Sequence, residues 1–312
     1  MLSRAIVTGG AGFIGSHVVD SLLADGVDVT VIDDLSSGQA ERVASGARLE
    51  EISIVDASAV DAVFDRVTPE AIFHLAAQAS VVVSTNDPAY DCAVNVQGTL
   101  NVLEASRRHD APLVFTSTGG ALYGNDAPIP TPETRIPAPL APYGASKWAA
   151  EAYINTWAAA HALPHAICRL GNVYGPRQSP HGEAGVVAIF SEHIHAGRTP
   201  RMFGDGEPTR DYIHVSDVVR AMRAALGHRG TFNVATEVET SVRRLWEILA
   251  DEAGSDLEPE LAPLRPGELE RSCMDTTRAR EQLGFSAAVE IDAGLRSTNR
   301  EMVAEFEHGT PR

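Results

Sequence analysis

The chain has 312 residues, 44% of them hydrophobic, enough to bury one large core or two lobes sharing a cleft. Its net charge of −17 argues against a nucleic-acid or anionic-membrane binder and leaves any anionic ligand dependent on local positive groups. Cys92, Cys168 and Cys273 are dispersed and form no disulfide framework or metal spacing, and no apolar run is long enough to span a bilayer. With a strand beginning too early to leave room for a signal peptide, these features predict a cytoplasmic protein without a metal centre.

Ala5-Ile6-Val7 reads as a buried strand, and Thr8-Gly9-Gly10-Ala11-Gly12-Phe13-Ile14-Gly15 as a glycine turn opening a helix over 14–25. Strand, glycine turn and helix together form a dinucleotide-site signature, here spaced GxxGxxG. Gly9 allows the sharp turn, Gly12 leaves room for a pyrophosphate, and Gly15 lets the helix pack close. The next strand, 28–33, ends in Asp33-Asp34, 18 residues after Gly15. An acidic residue there accepts hydrogen bonds from ribose hydroxyls and repels a 2′-phosphate, which favours NAD over NADP. No arginine follows before Arg42, in agreement.

Further strands are predicted around 49–55, 70–75 and 112–117, with helices at 58–66 and 89–109. Strands separated by helices imply a parallel sheet with right-handed crossovers. Asp56, at a strand end, could meet an adenine amine or cap the next helix. His74 reads as a satisfied buried histidine. Helices 89–109 and 148–161 carry apolar residues around more than one face, including Val94, Leu100, Leu103, Trp148, Tyr153 and Trp157. One face can cover the sheet and the other calls for a second copy, so a homodimer is predicted.

The chemistry-bearing stretch follows the strand at 112–117. Thr116-Ser117-Thr118-Gly119-Gly120 leads through a proline-rich loop to Tyr143-Gly144-Ala145-Ser146-Lys147, which opens a helix. Tyr143 and Lys147 are four apart and share a helix face. An ammonium beside a phenol lowers the phenol's pKa from about 10 toward neutrality, making a general base, and the charge of an oxidised nicotinamide adds to the effect. A hydroxyl of Ser117 or Thr118 can relay the proton.

TGGAGFIGSH, DDLSSG, HLAAQ, TSTGGALYG, YGASK, GNVYGPRQ and RDYIHVSDVV together resemble the extended short-chain dehydrogenase/reductase family. The nearest branch is that of the NAD-dependent nucleotide-sugar epimerases of the UDP-glucose 4-epimerase kind. The resemblance implies a Rossmann-type doubly wound α/β sheet at 1–172, with a return segment at 212–236, and a smaller nucleotide-sugar-binding lobe at 173–211 and 237–312. It makes Thr118, Tyr143 and Lys147 catalytic, with Ser117 still open as the relay. It implies NAD held by Gly9, Gly12, Phe13, Ile14, Asp33, Asp34, Ser37, Gly38, Asp56, Ala76, Ala77, Gln78, Asn95, Tyr143 and Lys147. It assigns the UDP-sugar to Asn172, Arg177, Val187, Phe203, Arg210 and Arg265. The paired arginines suit a diphosphate, since guanidinium binds phosphate in bidentate fashion.

Departures from the pattern narrow the reaction. Dehydratases of this resemblance carry Asp and Glu after the Ser-Thr pair, where this chain has Gly119 and Gly120, so elimination is not expected. The decarboxylase branch carries a Glu near the same point, and the reductases prefer NADP. Relatives acting on glucuronate often place an Arg where this chain has Val82, which favours a neutral hexose, because an uncompensated buried carboxylate is costly. Ser272, seven residues after Arg265, stands where the family limits pocket size, and leaves room for an N-acetyl group. Interconversion of UDP-glucose and UDP-galactose is therefore expected. UDP-N-acetylglucosamine remains an alternative. So does UDP-glucuronate, through Arg177. A non-catalytic dinucleotide-binding regulator is the alternative from another class.

Overall fold

The structure, a computed structural model, describes residues 2–180, 185–263 and 269–307, side chains of 305–307 apart. The strands are β1 (Arg4–Thr8), β2 (Asp28–Asp33), β3 (Arg48–Glu51), β4 (Ala71–His74), β5 (Leu113–Thr118), β6 (Ala166–Leu170), β7 (Asn172–Tyr174), β8 (Arg201–Phe203), β9 (Thr209–His214), β10 (Gly230–Val234), β11 (Glu239–Ser241) and β12 (Glu260–Ala262). The helices are α1 (Phe13–Ala24), α2 (Ala57–Val67), α3 (Val81–Asn86), α4 (Pro88–Cys92), α5 (Thr99–Arg108), α6 (Pro142–His161), α7 (Val186–His195), α8 (Val215–Ala225), α9 (Val242–Ala253), α10 (Thr277–Leu283) and α11 (Ile291–Glu307).

Seven strands form one sheet in the order β10-β6-β5-β4-β1-β2-β3, and every pairing is parallel. Both faces are covered. Val7, Val31, Phe73, Val114 and Cys168 face the side packed by α1 and α8, while Ile6, Ile32, Ile72, Phe115 and Ile167 face the side packed by α2, α5 and α6. Alternate residues of each strand thus enter opposite cores, which is why the strands read as continuous apolar runs. Each such side chain, fully buried, contributes about 1.5–3 kcal/mol.

The smaller lobe joins β7, β9 and β11 in one sheet and pairs β8 with β12, over a core that includes Phe190, Met202, Trp246 and Leu249. The chain returns to the large sheet through α8, packed on α1, and through β10, the last strand beyond β6. Helix α10 also lies against β10 and α8 rather than in the lobe, with Ala279 and Phe285 in the large core.

Three elements differ from expectation. The strand expected around 49–55 stops at Glu51, because Ile52–Asp56 turns on itself through Ile52 N–H to Glu50 C=O and Asp56 N–H to Ser53 C=O. The helix expected over 89–109 divides into α4, a wider π-type turn at Ala93–Gly98, and α5. Such turns inside helices mark functional sites, and this one carries the buried Asn95. The third is α3, started by the Ser80 hydroxyl, which accepts from Val83 N–H. Its run of three valines gives no helix-favouring signal.

A buried ion pair joins helix to sheet. On β6, Arg169 Nε and Nη2 donate to the Glu151 carboxylate of α6 at 3.0 and 2.6 Å, and Arg169 Nη1 donates to the Tyr123 hydroxyl at 2.9 Å. Tyr123 passes the chain on to Asn233 Oδ1 of β10 at 2.8 Å. Breaking such a pair leaves one uncompensated buried charge, so Arg169→Met should cost about 3–5 kcal/mol in urea unfolding, and the double variant with Glu151→Leu should recover much of it. A single variant as stable as the parent would contradict this account.

Candidate active site

The site gathers at the C-terminal edge of the large sheet, where ligands bind in open parallel sheets. β1 turns at Gly9 with φ +72°, and a Cβ there would stand 2.6 Å from the backbone nitrogen of Ala76. Only glycine lets the ends of β1 and β4 approach so closely. Gly12 caps α1 without a side-chain hydrogen bond, and the first turn of α1 has no acidic residue. The positive helix end beside Phe13 and Ile14 is thus left for an anion. Asp33, buried at the end of β2, accepts from Ala11 N–H at 2.9 Å and Leu35 N–H at 3.0 Å, tying the glycine turn to the second strand. Burial pushes its carboxyl up, against the pull of those two bonds. Gly38 packs on Asp33, with Asp34 and Ser37 exposed alongside. An open helix end and a strand-end carboxylate fit the diphosphate and ribose of a dinucleotide.

Asp56 serves as a helix cap, its Oδ1 accepting from Ala59 N–H at 3.0 Å. His74 is fully buried, with Nδ1 2.6 Å from Thr8 Oγ1 and Nε2 3.0 Å from Thr99 Oγ1. Burial, with the Lys147 charge, pushes it down to about 3, so it stays a neutral structural histidine.

Tyr143 lies in the first turn of α6, Lys147 one turn on and Glu151 a turn further, in one row. Lys147 is buried, its Nζ 4.2 Å from the centre of the Phe115 ring of β5. The electrostatics differ from the sequence expectation. Burial and the Asp91 carboxylate push the Tyr143 phenol up to about 12, while burial pushes Lys147 down to about 7. Withdrawal from water outweighs the mutual attraction, so the lowering of the phenol is not supplied by Lys147 alone. Thr118 ends β5, half-buried, with Oγ1 accepting from Ala121 N–H at 3.2 Å. Ser117 is buried, and its hydroxyl has no partner among the described residues.

Two expected cofactor residues turn inward. Asn95 is buried, accepts from Gln78 N–H, and shares its two Nδ2 hydrogens among Gln78 C=O, Asp91 Oδ1 and Ser146 Oγ. Gln78 donates to Asp91 Oδ1 at 2.8 Å. Their side chains are spent on the protein, as a buried polar group requires, while the half-buried Ala76 and Ala77 pass beside the glycine turn. Sequence reasoning missed Asp91 and Glu151. Their one signal was helical spacing, four residues before Asn95 and four after Lys147.

Among expected substrate residues, Asn172 starts β7, its Oδ1 3.3 Å from where a Cβ on Gly120 would stand. Ser272 lines one hollow with Gly119, Gly120 and Tyr123. Arg210 stands on β9 and Phe203 on β8, both half-buried. Two placements correct the sequence reading. Val187 is 1% exposed in the lobe core, packed with Phe190, so its side chain is spent on packing rather than on the nucleotide. Arg177, at φ +66°, pairs with Asp20 of α1 at 2.6 Å, drawn to the nearest carboxylate rather than toward the sugar. Arg265 lies outside the described residues.

The double role of the Asp33 carboxylate is testable. Asp33→Asn sets an amide NH₂ against one of the two backbone N–H donors, so it should lose about 1–3 kcal/mol in urea unfolding. Wild-type stability in that variant would contradict the tie described.

Comparison with known proteins agrees with this geometry. Residues 5–235 match the model of the "NAD dependent epimerase/dehydratase family". The chain is 48% identical over 303 residues to a UDP-glucose 4-epimerase of Mycolicibacterium smegmatis, covering 95% of this chain and 97% of the other. It superimposes with a TM-score of 0.95 on the UDP-glucose 4-epimerase of Thermotoga maritima solved with UDP-glucose, at 44% identity and coverages of 97% and 99%. The Thermus thermophilus UDP-glucose 4-epimerase solved with NAD gives 0.89, at 42% identity and coverages of 96% and 98%. Matched across residues 5–235 and close to half identical to a relative over nearly its whole length, the chain belongs to the NAD dependent epimerase/dehydratase family.

Proposed function

We propose that the chain is an NAD-dependent UDP-hexose 4-epimerase that interconverts UDP-glucose and UDP-galactose through a transient 4-keto sugar. The carrying observation is the contact between Gly119 and Met274. A Cβ on Gly119 would stand 1.9 Å from Met274 Sδ, a side chain 1% exposed. The position that would offer an acid for elimination is filled by a thioether. What remains at the site is a hydroxyl, a phenol and an ammonium, the set that moves one proton on and off a sugar hydroxyl.

NAD, held at the glycine turn and Asp33, supplies a reversible two-electron acceptor for the hydrogen on C4. Tyr143 takes the proton of the 4-hydroxyl, and Thr118, more accessible than Ser117, relays it. Lys147 supplies positive charge to the phenolate. Asn172, Arg210 and Arg265 hold the diphosphate, so the 4-keto sugar can turn about a fixed anchor and present its other face. Ser272, a small residue lining the hollow beside Gly119 and Gly120, leaves room for the N-acetylhexosamine pair as further substrates. Arg177, engaged with Asp20, is not offered to a glucuronate carboxylate.

The working unit is a homodimer. Val94 and Leu103 cover the sheet, while Trp148 and Tyr153 of α6 are each 41% exposed and Tyr90 of α4 is 43% exposed. The indole N–H of Trp157, edge-on to Tyr153 at 6.1 Å, has no partner among the described residues. A second copy would cover this aromatic face about a two-fold axis. Light scattering should show a dimer at micromolar concentration, and Trp148→Glu with Tyr153→Glu should give monomers. A parent monomer would refute the assembly.

Comparing kcat/KM for UDP-glucose, UDP-N-acetylglucosamine and UDP-glucuronate tests the reaction. UDP-glucose should be turned over well, and glucuronate should trail. A preference for glucuronate above about tenfold would overturn the reading, since one paired carboxylate is worth more than that factor. Tyr143→Phe should fold and lose activity by about 10²–10⁴-fold, the usual share of general-base catalysis. Near-normal activity would remove Tyr143 from its role.

A further inference from the structure

A buried carboxylate stands behind the catalytic row. Asp91 of α4 is 1% exposed and has no arginine or lysine partner among the ion pairs of the described residues. Its Oδ1 accepts from Gln78 Nε2 at 2.8 Å and from Asn95 Nδ2 at 3.1 Å. Asn95 Nδ2 also donates to Ser146 Oγ at 3.0 Å, and Ser146 Oγ donates to the backbone carbonyl of Tyr143 at 3.0 Å. An unbroken buried chain therefore runs from Asp91 through Asn95 and Ser146 to the turn of α6 that carries Tyr143. Two amide donors on one oxygen are modest compensation for a buried charge. A neutral side chain would satisfy both donors equally well, so the negative charge needs a reason of its own.

We infer that Asp91 is a positioning residue for the Tyr143–Lys147 pair: its carboxylate fixes the catalytic turn through Asn95 and Ser146, and its charge sets the pH range in which the pair works. The inference rests on the reading of Tyr143 as the general base. A negative charge beside both groups favours the protonated form of each. After Glu151, it thus favours the ammonium of Lys147 against burial that drives it neutral, and it adds to burial in favouring the protonated phenol of Tyr143.

The charged surroundings are few. On α6 itself lie Lys147 and Glu151; Glu151 is paired with Arg169 of β6 and still favours the Lys147 ammonium. β4 brings His74, held neutral by burial. α4 brings Asp91 with Tyr90 and the exposed Cys92, while α3, the turn at Ala93–Gly98 and β5 carry no acidic or basic side chain. The charges of α5 are engaged at the surface, Arg107 with Glu104 and Arg108 with Asp61. Asp87, the N-cap of α4, is exposed and accepts from Tyr90 N–H, so among the described residues of this face Asp91 is the buried carboxylate without a cationic partner.

Asp91→Asn makes a clean test, because both hydrogen bonds end on Oδ1 and an amide oxygen accepts both. The variant should keep wild-type thermal stability while both limbs of the pH profile of kcat move to lower pH by about half a unit or more, the effect of removing a neighbouring charge. Asp91→Ser, also neutral, should shift the profile the same way and serves if the amide is not accommodated. Ser146→Ala, which breaks the chain without touching charge, should lower kcat and leave the limbs in place. As a readout apart from turnover, the tyrosinate absorption lost in Tyr143→Phe should appear at lower pH in Asp91→Asn than with Asp91 present. Unmoved limbs in both neutral variants would overturn the inference, even with kcat reduced. An active Tyr143→Phe would instead remove the base on which the inference rests.

Discussion

Glu151 and Arg169 are buried face to face between α6 and β6, and neither charge could stay there without the other. The pair seats the catalytic helix on the sheet at one definite rotation. Lys147 then lies over Phe115, with Tyr143 one turn before it in the first turn of the helix. Through Tyr123 and Asn233 the same network reaches β10 and the segment holding Met274, because Asn233 also donates to the carbonyls of Thr131 and Asp275. One buried salt bridge thus links the helix carrying Tyr143 to β6, β10 and the segment beside Met274.

The contest between burial and charge governs the site more than any pairwise attraction. Burial alone would leave a neutral amine and a protonated phenol. Glu151 and Asp91 oppose it at Lys147. At Tyr143, Asp91 acts in the same direction as burial, so the phenol gains its basic form only against an additional positive charge. The protonation of this pair thus rests on named side chains around it as well as on the Tyr-Lys spacing.

The sheet was legible because a strand buried on both faces carries an apolar run, as Ala5-Ile6-Val7 of β1, Ala71-Ile72-Phe73 of β4 and Leu113-Val114-Phe115 of β5 do. The glycine turn was legible because Gly9 and Gly15 stand where a Cβ would strike backbone. Tyr143 and Lys147 were legible from helical spacing. What could not be read were the partners of buried polar groups, since those depend on tertiary approach. Nothing near Asn95 in the chain says that its amide would be consumed by Gln78, Asp91 and Ser146 rather than reach outward. Arg177 was misplaced for the same reason, as Asp20 lies 157 residues away in sequence. α3 was missed and the strand at β3 drawn too long because a side-chain cap and local turns, rather than hydrophobic period, decided them.

The account holds that C4 loses and regains the same hydrogen inside a closed site while Tyr143 exchanges only the hydroxyl proton. Running UDP-glucose to equilibrium in D₂O and examining the UDP-galactose formed tests this most directly. The account predicts that C4 carries protium and that no deuterium enters the carbon skeleton. Deuterium bound to carbon in the product would show exchange with solvent through a carbanion, and would contradict it.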